Sequence, residues 1–419
     1  MTQLITKDLQ YYKFGMYGFL KNLKFFEPFL ILFLLEKGLM FWQIGVVYSV
    51  REITRNIFEI PSGVVADALG RRRTLVMSFI VYCISFVILF FSKSYAIILV
   101  GMGVFAFADA FRTGNNKAMI YDYLDIRGWR DQRIRYYGFT RSWSQTGSAV
   151  SSLIAAIIVI LFHNYTTIFL ASVVPYLLNA VLIYSYPQFL EGEIRKMHTD
   201  DIWKAFRKAS KDMITVLRNP LCWKAININS FHSGYHKAIK EYIQPVIVLA
   251  ALTLPFYNNV PSEKREAFLV GVIYFIIYLT TAVASRSAGS FSERLRSPER
   301  ALYITLLLGL LSGMLAGLSL HLGLPWLCIS FFLIVYVMEN LRKPIGVAGV
   351  ANKSESTVMA SVLSVNFQWE SLVAAVIAPI LGILVDITSV GLGLGITSAI
   401  IILISMTSYF VTKLIRKPF

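Results

Sequence analysis

The chain is short of charge. Only 15% of its 419 residues are Asp, Glu, Lys or Arg, against about a quarter in an ordinary soluble domain. That shortage argues against a water-soluble globule. Acid is the scarcer sign: 24 Asp and Glu stand against 40 Lys and Arg, a formal net charge of +16. Cysteine is nearly missing. Cys83, Cys222 and Cys328 lie in apolar contexts and read as small buried hydrophobes, not as a disulfide framework. No Gly-rich phosphate loop appears, which disfavours ATP-driven pumping, and no nucleophile has a base at short spacing, so catalysis is not expected. No cofactor is expected either. The opening "MTQLITKDLQYYK" is polar and lacks a signal-peptide cleavage pattern, so the first apolar helix is expected to be retained.

What is there is apolar and comes in long runs. Hydrophobic residues make up 56% of the chain and the mean hydropathy is +0.61. Runs such as "TLVMSFIVYCISFVILFF" and "ITSAIIILISMTSYF" approach the roughly 20 residues a bilayer-spanning helix needs. Twelve candidate spans follow, near 14–36, 41–66, 75–92, 94–120, 136–162, 166–186, 220–250, 266–288, 300–320, 325–347, 356–384 and 389–412. The loops then sort by charge. One side carries Arg71–Arg73, Arg127, Arg130, Arg133, Arg135 and the basic residues of 195–218, while the other has only Lys37, Lys93, Lys264 and Arg265. Lys and Arg favour cytoplasmic loops, which places both termini in the cytoplasm of a multi-pass protein of the cell membrane. Because the positive charge is dispersed over those loops, a nucleic-acid partner is disfavoured. The hydrophilic stretch 187–219 reads as a cytoplasmic linker helix between an N-terminal bundle, 1–186, and a C-terminal bundle, 220–419.

Between the second and third spans stands "GVVADALGRRR", Gly63 to Arg73. Asp67 lies one helical turn after Gly63, on the same face. Gly63 would let a neighbouring helix approach closely. Gly70 can adopt a left-handed conformation and end the helix. A weaker copy follows the eighth span, where Gly289 and Glu293 stand in "GSFSERLRSPERA". Near-constant offsets relate Gly63 to Gly289 and Arg112 to Arg342, as a duplicated six-helix unit requires.

The stretch resembles the loop signature of the major facilitator superfamily, G-x-x-x-D-x-x-G-R-[RK]-x-[RK]. Gly63, Asp67, Gly70, Arg71 and Arg72 match, and Arg73 stands one position early for the final basic site. The resemblance extends over the whole chain. It implies an all-α polytopic membrane protein of twelve transmembrane helices in two six-helix pseudo-symmetric bundles, working by alternating access as a secondary transporter. It also implies a gating role for Gly63, Asp67, Gly70, Arg71 and Arg72. In the superfamily the aspartate contacts the start of span 11 and an arginine near span 4. Arg130, Arg133 or Arg135 would be the partner here. The alternative is that these arginines only anchor the loop on the cytoplasmic side.

Ionisable residues inside spans are costly to place and by default suggest function, the alternative being buried ion pairs that hold helices together. In span 1, Lys21, Lys24 and Glu27 recur every three residues as one stripe, and Pro28 is positioned to kink the helix. In span 2, Arg51, Glu52, Arg55 and Glu59 occupy one sector. In span 4, Asp109, Arg112 and Asn116 are expected to share a face. Arg112 can grip a carboxylate or phosphate with its planar fork. Span 7 adds His232, His236 and Lys240. Two histidines four apart can hold a metal, but no Cys, Asp or Glu among them completes a tetrahedral site, so no metal is expected. Glu339 and Arg342 follow in span 10, then Asn366, Trp369 and Glu370 in span 11.

The expected substrate contacts are therefore Lys24, Arg51, Arg55, Arg112, Asn116, His232, His236, Lys240, Arg342, Asn366 and Trp369. The expected proton-coupling carboxylates are Glu27, Glu52, Asp109 and Glu370. The leading expectation is a monomeric, proton-coupled transporter in the lipid bilayer whose small-molecule substrate is a polar organic anion or zwitterion. The alternatives are a multidrug or metabolite efflux antiporter and an uncoupled facilitator. A non-transporting membrane receptor on the same fold ranks below them.

Overall fold

A computed structural model describes residues 7–113, 115–129, 132–192, 199–218, 220–254, 261–351 and 359–415. These residues are helical throughout, joined by short turns. In chain order the helices are α1 (Leu9–Leu20), α2 (Leu30–Glu36), α3 (Phe41–Leu69), α4 (Arg71–Phe90), α5 (Tyr95–Arg112) and α6 (Asn115–Ile126). There follow α7 (Arg133–Phe162), α8 (Thr167–Tyr184), α9 (Thr199–Arg218), α10 (Pro220–Ile239) and α11 (Ile243–Leu252). The last five are α12 (Ser262–Arg294), α13 (Pro298–His321), α14 (Pro325–Ala351), α15 (Met359–Ile387) and α16 (Val390–Ile415).

Local chemistry sets several ends. The Asp8, Ser94 and Ser297 side chains each accept from the main-chain N–H three residues on, capping α1, α5 and α13. Gly70, at φ +90°, separates α3 from α4 as its type suggested. The three arginines after it are therefore not a loop but the first turn of α4.

Among the described residues, eight helices are long and apolar enough to cross a membrane. Of the four remaining expected spans, the last, near 389–412, is represented by a shorter apolar stretch, Val390–Ser405 of α16, among the described residues. The other three have identifiable reasons for falling outside that measure. Span 1 is not one helix: α1 stops at Leu20, residues 21–26 form turns, a short 3-10 turn runs Glu27–Phe29, and α2 resumes at Leu30. Span 7 is likewise divided by a 3-10 turn at Lys240–Tyr242, between α10 and α11. The α3 helix runs unbroken for 29 residues but carries Arg51, Glu52, Arg55 and Glu59 within its length. Backbone freed by a break in lipid must find partners. In the first break, Tyr176 Oη of α8 donates to the Lys21 carbonyl at 3.2 Å, and Asn179 Nδ2 donates to the Tyr17 carbonyl at 3.3 Å. In the second, Tyr336 Oη of α14 donates to the Lys240 carbonyl at 2.9 Å.

The chain packs as two compact units. One comprises residues 1–33, 50–210 and 263–279; the other comprises 34–49, 211–262 and 280–419. In the first unit α4 packs on α5 and α8, and α1 on α7 and α8. Its core is aromatic. Phe26, in the break of span 1, stacks on Phe169 at 5.5 Å and meets Phe105 edge-on at 5.4 Å. In the second unit α13 packs on α14 and α16, and α10 on α15. There small residues allow close approach. A Cβ at Gly317 of α13 would collide with the backbone of Gly391 and Gly395 in α16.

Candidate functional site

The first unit gathers its charges around one carboxylate. Asp109, on α5, is 7% exposed. Arg112 Nη2 donates to its Oδ1 at 2.6 Å, and Tyr82 Oη of α4 donates to the same oxygen at 2.6 Å. Arg55 Nε of α3 lies 3.3 Å from Oδ2. Arg112 Nε also donates to Tyr82 Oη, at 3.0 Å. Two guanidiniums and a phenol thus clasp one aspartate. Lys24 Nζ lies 3.9 Å from Glu27 Oε2 and within the field of Asp109, Arg112 and Arg51. Lys21 sits 5.6 Å from the centre of the Tyr17 ring, and the Arg51 guanidinium 5.5 Å from that of Phe105. Glu52 is buried. On the other side of α3, Ile53 and Ile57 are exposed and apolar, so the charged sector read from spacing faces inward.

Two details of the sequence reading change here. Lys21, Lys24 and Glu27 do not form a helical stripe, because residues 21–26 are not helical. Lys24 and Glu27 meet across the break instead. Asn116 does not share a face with Asp109 and Arg112. The α5 helix ends at Arg112, Thr113 is extended, and Asn116 belongs to α6. Its Oδ1 is buried with no hydrogen-bond partner among the described residues.

The second unit holds a separate polar core. His232 Nδ1 and Glu339 Oε2 are 2.8 Å apart, and Ser233 Oγ donates to Glu339 Oε1 at 2.7 Å. Glu370 faces Lys237 Nζ at 3.2 Å and Lys343 Nζ at 3.9 Å. Lys240 Nζ lies 2.9 Å from Glu241 Oε1, which keeps it in the break of span 7. Asn229 Nδ2 donates to Asn366 Oδ1 at 3.1 Å, and Trp369 Nε1 donates to Asn227 Oδ1 at 2.9 Å. His236 stands edge-on to Tyr336 at 5.0 Å. Arg342 is fully buried, and its guanidinium is committed to main chain: Nη1 donates to the Leu302 carbonyl at 3.3 Å and Nη2 to the Ile228 carbonyl. That use ties α14 to α13 and α10. The positional parallel with Arg112, which grips a carboxylate, does not extend to its bonding. Among the described residues no group of His, Cys, Asp and Glu could hold a metal ion.

At the other candidate region, Arg71 pairs with Asp122 of α6, and Arg72 Nε donates to Glu191 Oε1 at 2.9 Å. Arg73 Nε is 3.6 Å from the same carboxylate. Asp67, Arg71, Asp122, Asp125, Glu191 and Gly192 line a polar cavity of about 600 Å³. A Cβ at Gly63 would meet no described atom within 4 Å, so no described helix closes on that glycine. Gly70 is the tight position: a Cβ there would strike the Glu191 carboxylate. Arg130 and the side chains of Arg133 and Arg135 lie outside the described residues.

Sequence reading missed Tyr82, Ser233, Lys237, Lys343 and Glu191. Tyr82 is hidden in an uninterrupted apolar run, where its ring fits and its hydroxyl gives no periodic signal. Lys237 was detectable, since it lies seven residues after Ser230 and four after Ser233 on a polar flank of α10.

The two interrupted helices stand at corresponding places in the chain, as in transporters whose sites are built on discontinuous helices. Comparison with known proteins agrees. A model of the Major Facilitator Superfamily matches residues 22–367. YxaM of Bacillus subtilis (strain 168), an uncharacterised MFS-type transporter, is 37% identical over 90 residues; the match spans 22% of this chain and 23% of that relative. Among solved structures, the nucleoside transporter NupG aligns with a TM-score of 0.75 at 11% identity, over 98% of this chain and 100% of its own. A POT family transporter in complex with 5-aminolevulinic acid aligns at 0.73 and 15% identity, over 97% of each chain. A bacterial homologue of the human lysosomal transporter Spinster aligns at 0.66 and 15% identity, over 90% of this chain and 83% of its own. At such identities the structures speak for the fold, and the family model covers most of the sequence. The chain belongs to the Major Facilitator Superfamily, and its function is membrane transport rather than catalysis.

Proposed function

We propose that this chain is a proton-coupled secondary transporter for a small organic anion or zwitterion. Its working form is twelve spans in two six-helix bundles, 1–186 and 220–419, joined by the cytoplasmic stretch 187–219, with both termini in the cytoplasm. The observation that carries the substrate class is the basic cluster of the first unit. Five bases, Lys21, Lys24, Arg51, Arg55 and Arg112, stand with four carboxylates, Glu27, Glu52, Glu59 and Asp109. A charge at mid-membrane costs roughly 2.5–3.5 kcal/mol on insertion scales. An incoming carboxylate or phosphate offsets that cost, and Arg112 and Arg55 already show the grip it would meet. In this reading Asp109 holds the place of the substrate anion and releases the arginines when substrate arrives. The complex of a POT family transporter with 5-aminolevulinic acid lends support, since that ligand joins an amine to a carboxylate.

The gate is proposed at the start of α4, where Arg71, Arg72 and Arg73 are held by Asp122 and Glu191. Asp67 and Gly70 stand at the same place.

The test is ligand-dependent thermal stabilisation of the purified protein across amino acids, carboxylates, phosphorylated metabolites and hydrophobic cations. The expected result is a carboxylate or phosphate hit that disappears in Arg112→Ala. Hits confined to hydrophobic cations would overturn the reading. They would favour the efflux alternative, for which one observation speaks. A wholly apolar cavity of about 340 Å³ in the second unit is lined by Phe231, Trp369, Val373, Ile377, Ile400 and Ile404 among others.

A further inference from the structure

His232, expected from the sequence as a substrate contact, belongs to the second unit and not to the basic cluster of the first, on which the proposed substrate class rests. Its ring is fully buried on α10. One nitrogen, Nδ1, meets Glu339 of α14 at 2.8 Å, and the other oxygen of that carboxylate accepts from Ser233 at 2.7 Å. With Glu339 ionised, Nδ1 must be the donor, so the second nitrogen, Nε2, is the unprotonated one. Nε2 is buried and has no hydrogen-bond partner among the described residues. What it faces is Gly309 of α13: a Cβ at that position would fall on Nε2 itself. The absent side chain is thus the space the imidazole fills, and the surface there offers no acceptor.

The charges around the pair come from several helices. From α14 they are Arg342 and Lys343, and from α10 itself His236, Lys237 and Lys240. From α15 the nearest charge is Glu370, itself held by Lys237 and Lys343. The face of α13 is Gly309, and α16 reaches the neighbouring Tyr235 through Ser398 at 2.6 Å. Arg342 balances Glu339 while His232 is neutral. His236 Nε2 is likewise buried with no hydrogen-bond partner among the described residues. Of the two rings, however, it is His232 whose Nδ1 the Glu339 carboxylate holds, so one more proton goes to His232 Nε2. Binding it turns the ring into an imidazolium paired with Glu339 and creates an N–H that points at a glycine. A buried donor with no acceptor costs free energy until it moves.

We infer that His232 Nε2 is a proton-carrying site of this transporter, with Glu339 and Ser233 fixing the ring and Gly309 making proton uptake displace α13 from α10. The inference rests on the proton-coupled reading above but needs no substrate to be tested. Glu339 and Ser233 are positioning residues.

The chain has five histidines, so histidine labelled with 15N gives a small set of imidazole signals. The experiment uses the full-length protein in lipid nanodiscs, with His232→Gln to assign the signal, titrated from pH 9 to pH 5. The expected result is that His232 Nδ1 stays protonated throughout while Nε2 gains a proton as pH falls. Glu339→Gln removes the anion that favours the imidazolium and lowers the midpoint. Ser233→Ala removes a competing donor from Glu339 and raises it. Each shift is expected to be about one pH unit, a tenfold change in proton affinity. Gly309→Ala displaces the ring and abolishes the wild-type signal; where that variant does not fold, the opposite signs of the other two carry the test. A wild-type His232 that keeps Nε2 unprotonated down to pH 5 overturns the inference, as does a midpoint that neither variant moves. Failure here with an anion hit in the stabilisation panel removes the proton site alone. Titration as expected with no anion hit removes the substrate class alone.

Discussion

Asp109 is the residue on which the first unit turns. It satisfies two arginines and a tyrosine at once, so its loss is not a local event. Removing one partner of a buried ion pair typically costs about 3–5 kcal/mol, because the remaining charge is left unpaired. Asp109→Asn should therefore lower the thermal midpoint markedly, and Arg112→Gln in the same chain should recover part of the loss. Thermal unfolding of the single and double variants measures this. An equal midpoint for Asp109→Asn and wild type would show that the clasp contributes nothing. Tyr82→Phe removes a hydroxyl shared by Asp109 and Arg112 and should cost about 1–3 kcal/mol. A Tyr82→Phe variant as stable as wild type would remove that hydroxyl from the account. Spacing alone placed Arg51, Glu52 and Arg55 on one sector of a helix, since a regular helix translates sequence distance into direction. The same arithmetic failed for Lys24 and Asn116, where the chain leaves the helix at residues 21–26 and at Thr113. It gave no warning of Tyr82, whose partner lies 27 residues away.

The element scale is governed by interruptions and glycines. Pro28 and the charges of span 1 hinted at a kink. The full break was not legible, because it depends on Tyr176 and Asn179 of α8 supplying donors to the freed carbonyls. The break in span 7 rests in the same way on Tyr336 of α14. Two glycines of the "GVVADALGRRR" stretch separate cleanly by their surroundings. Gly63→Ala meets open space within a helix and should leave stability unchanged or raised by up to about 1 kcal/mol. Gly70→Ala meets both a positive φ and the Glu191 carboxylate, and should destabilise by about 1–2 kcal/mol. Thermal midpoints of the two variants check the contrast. The reverse order would mean that Gly63, not Gly70, is the constrained position.

At the scale of the whole molecule, membership of the superfamily and the helical, membrane-spanning class were legible in composition, run length and one short motif. Those signals are dense because lipid imposes the same demand on every span. The sidedness of the chain rests on the charge of its loops, and it can be tested without a substrate. Exposed Lys93 and exposed Arg294 fall on opposite sides in the proposed topology. In a Cys222→Ser background, with Cys83 and Cys328 buried, Lys93→Cys should react with an impermeant thiol reagent in intact cells. Arg294→Cys should react only after permeabilisation. The opposite pattern would invert the topology.

The central claim is that an anionic substrate and a proton cross together. The most direct measurement loads proteoliposomes with a pH-sensitive dye and adds the anion found by the stabilisation panel. The account predicts a change of internal pH that accompanies uptake and is absent in Arg112→Ala vesicles. Uptake of the same anion with no change of internal pH, under conditions where the dye responds to added acid, would contradict it.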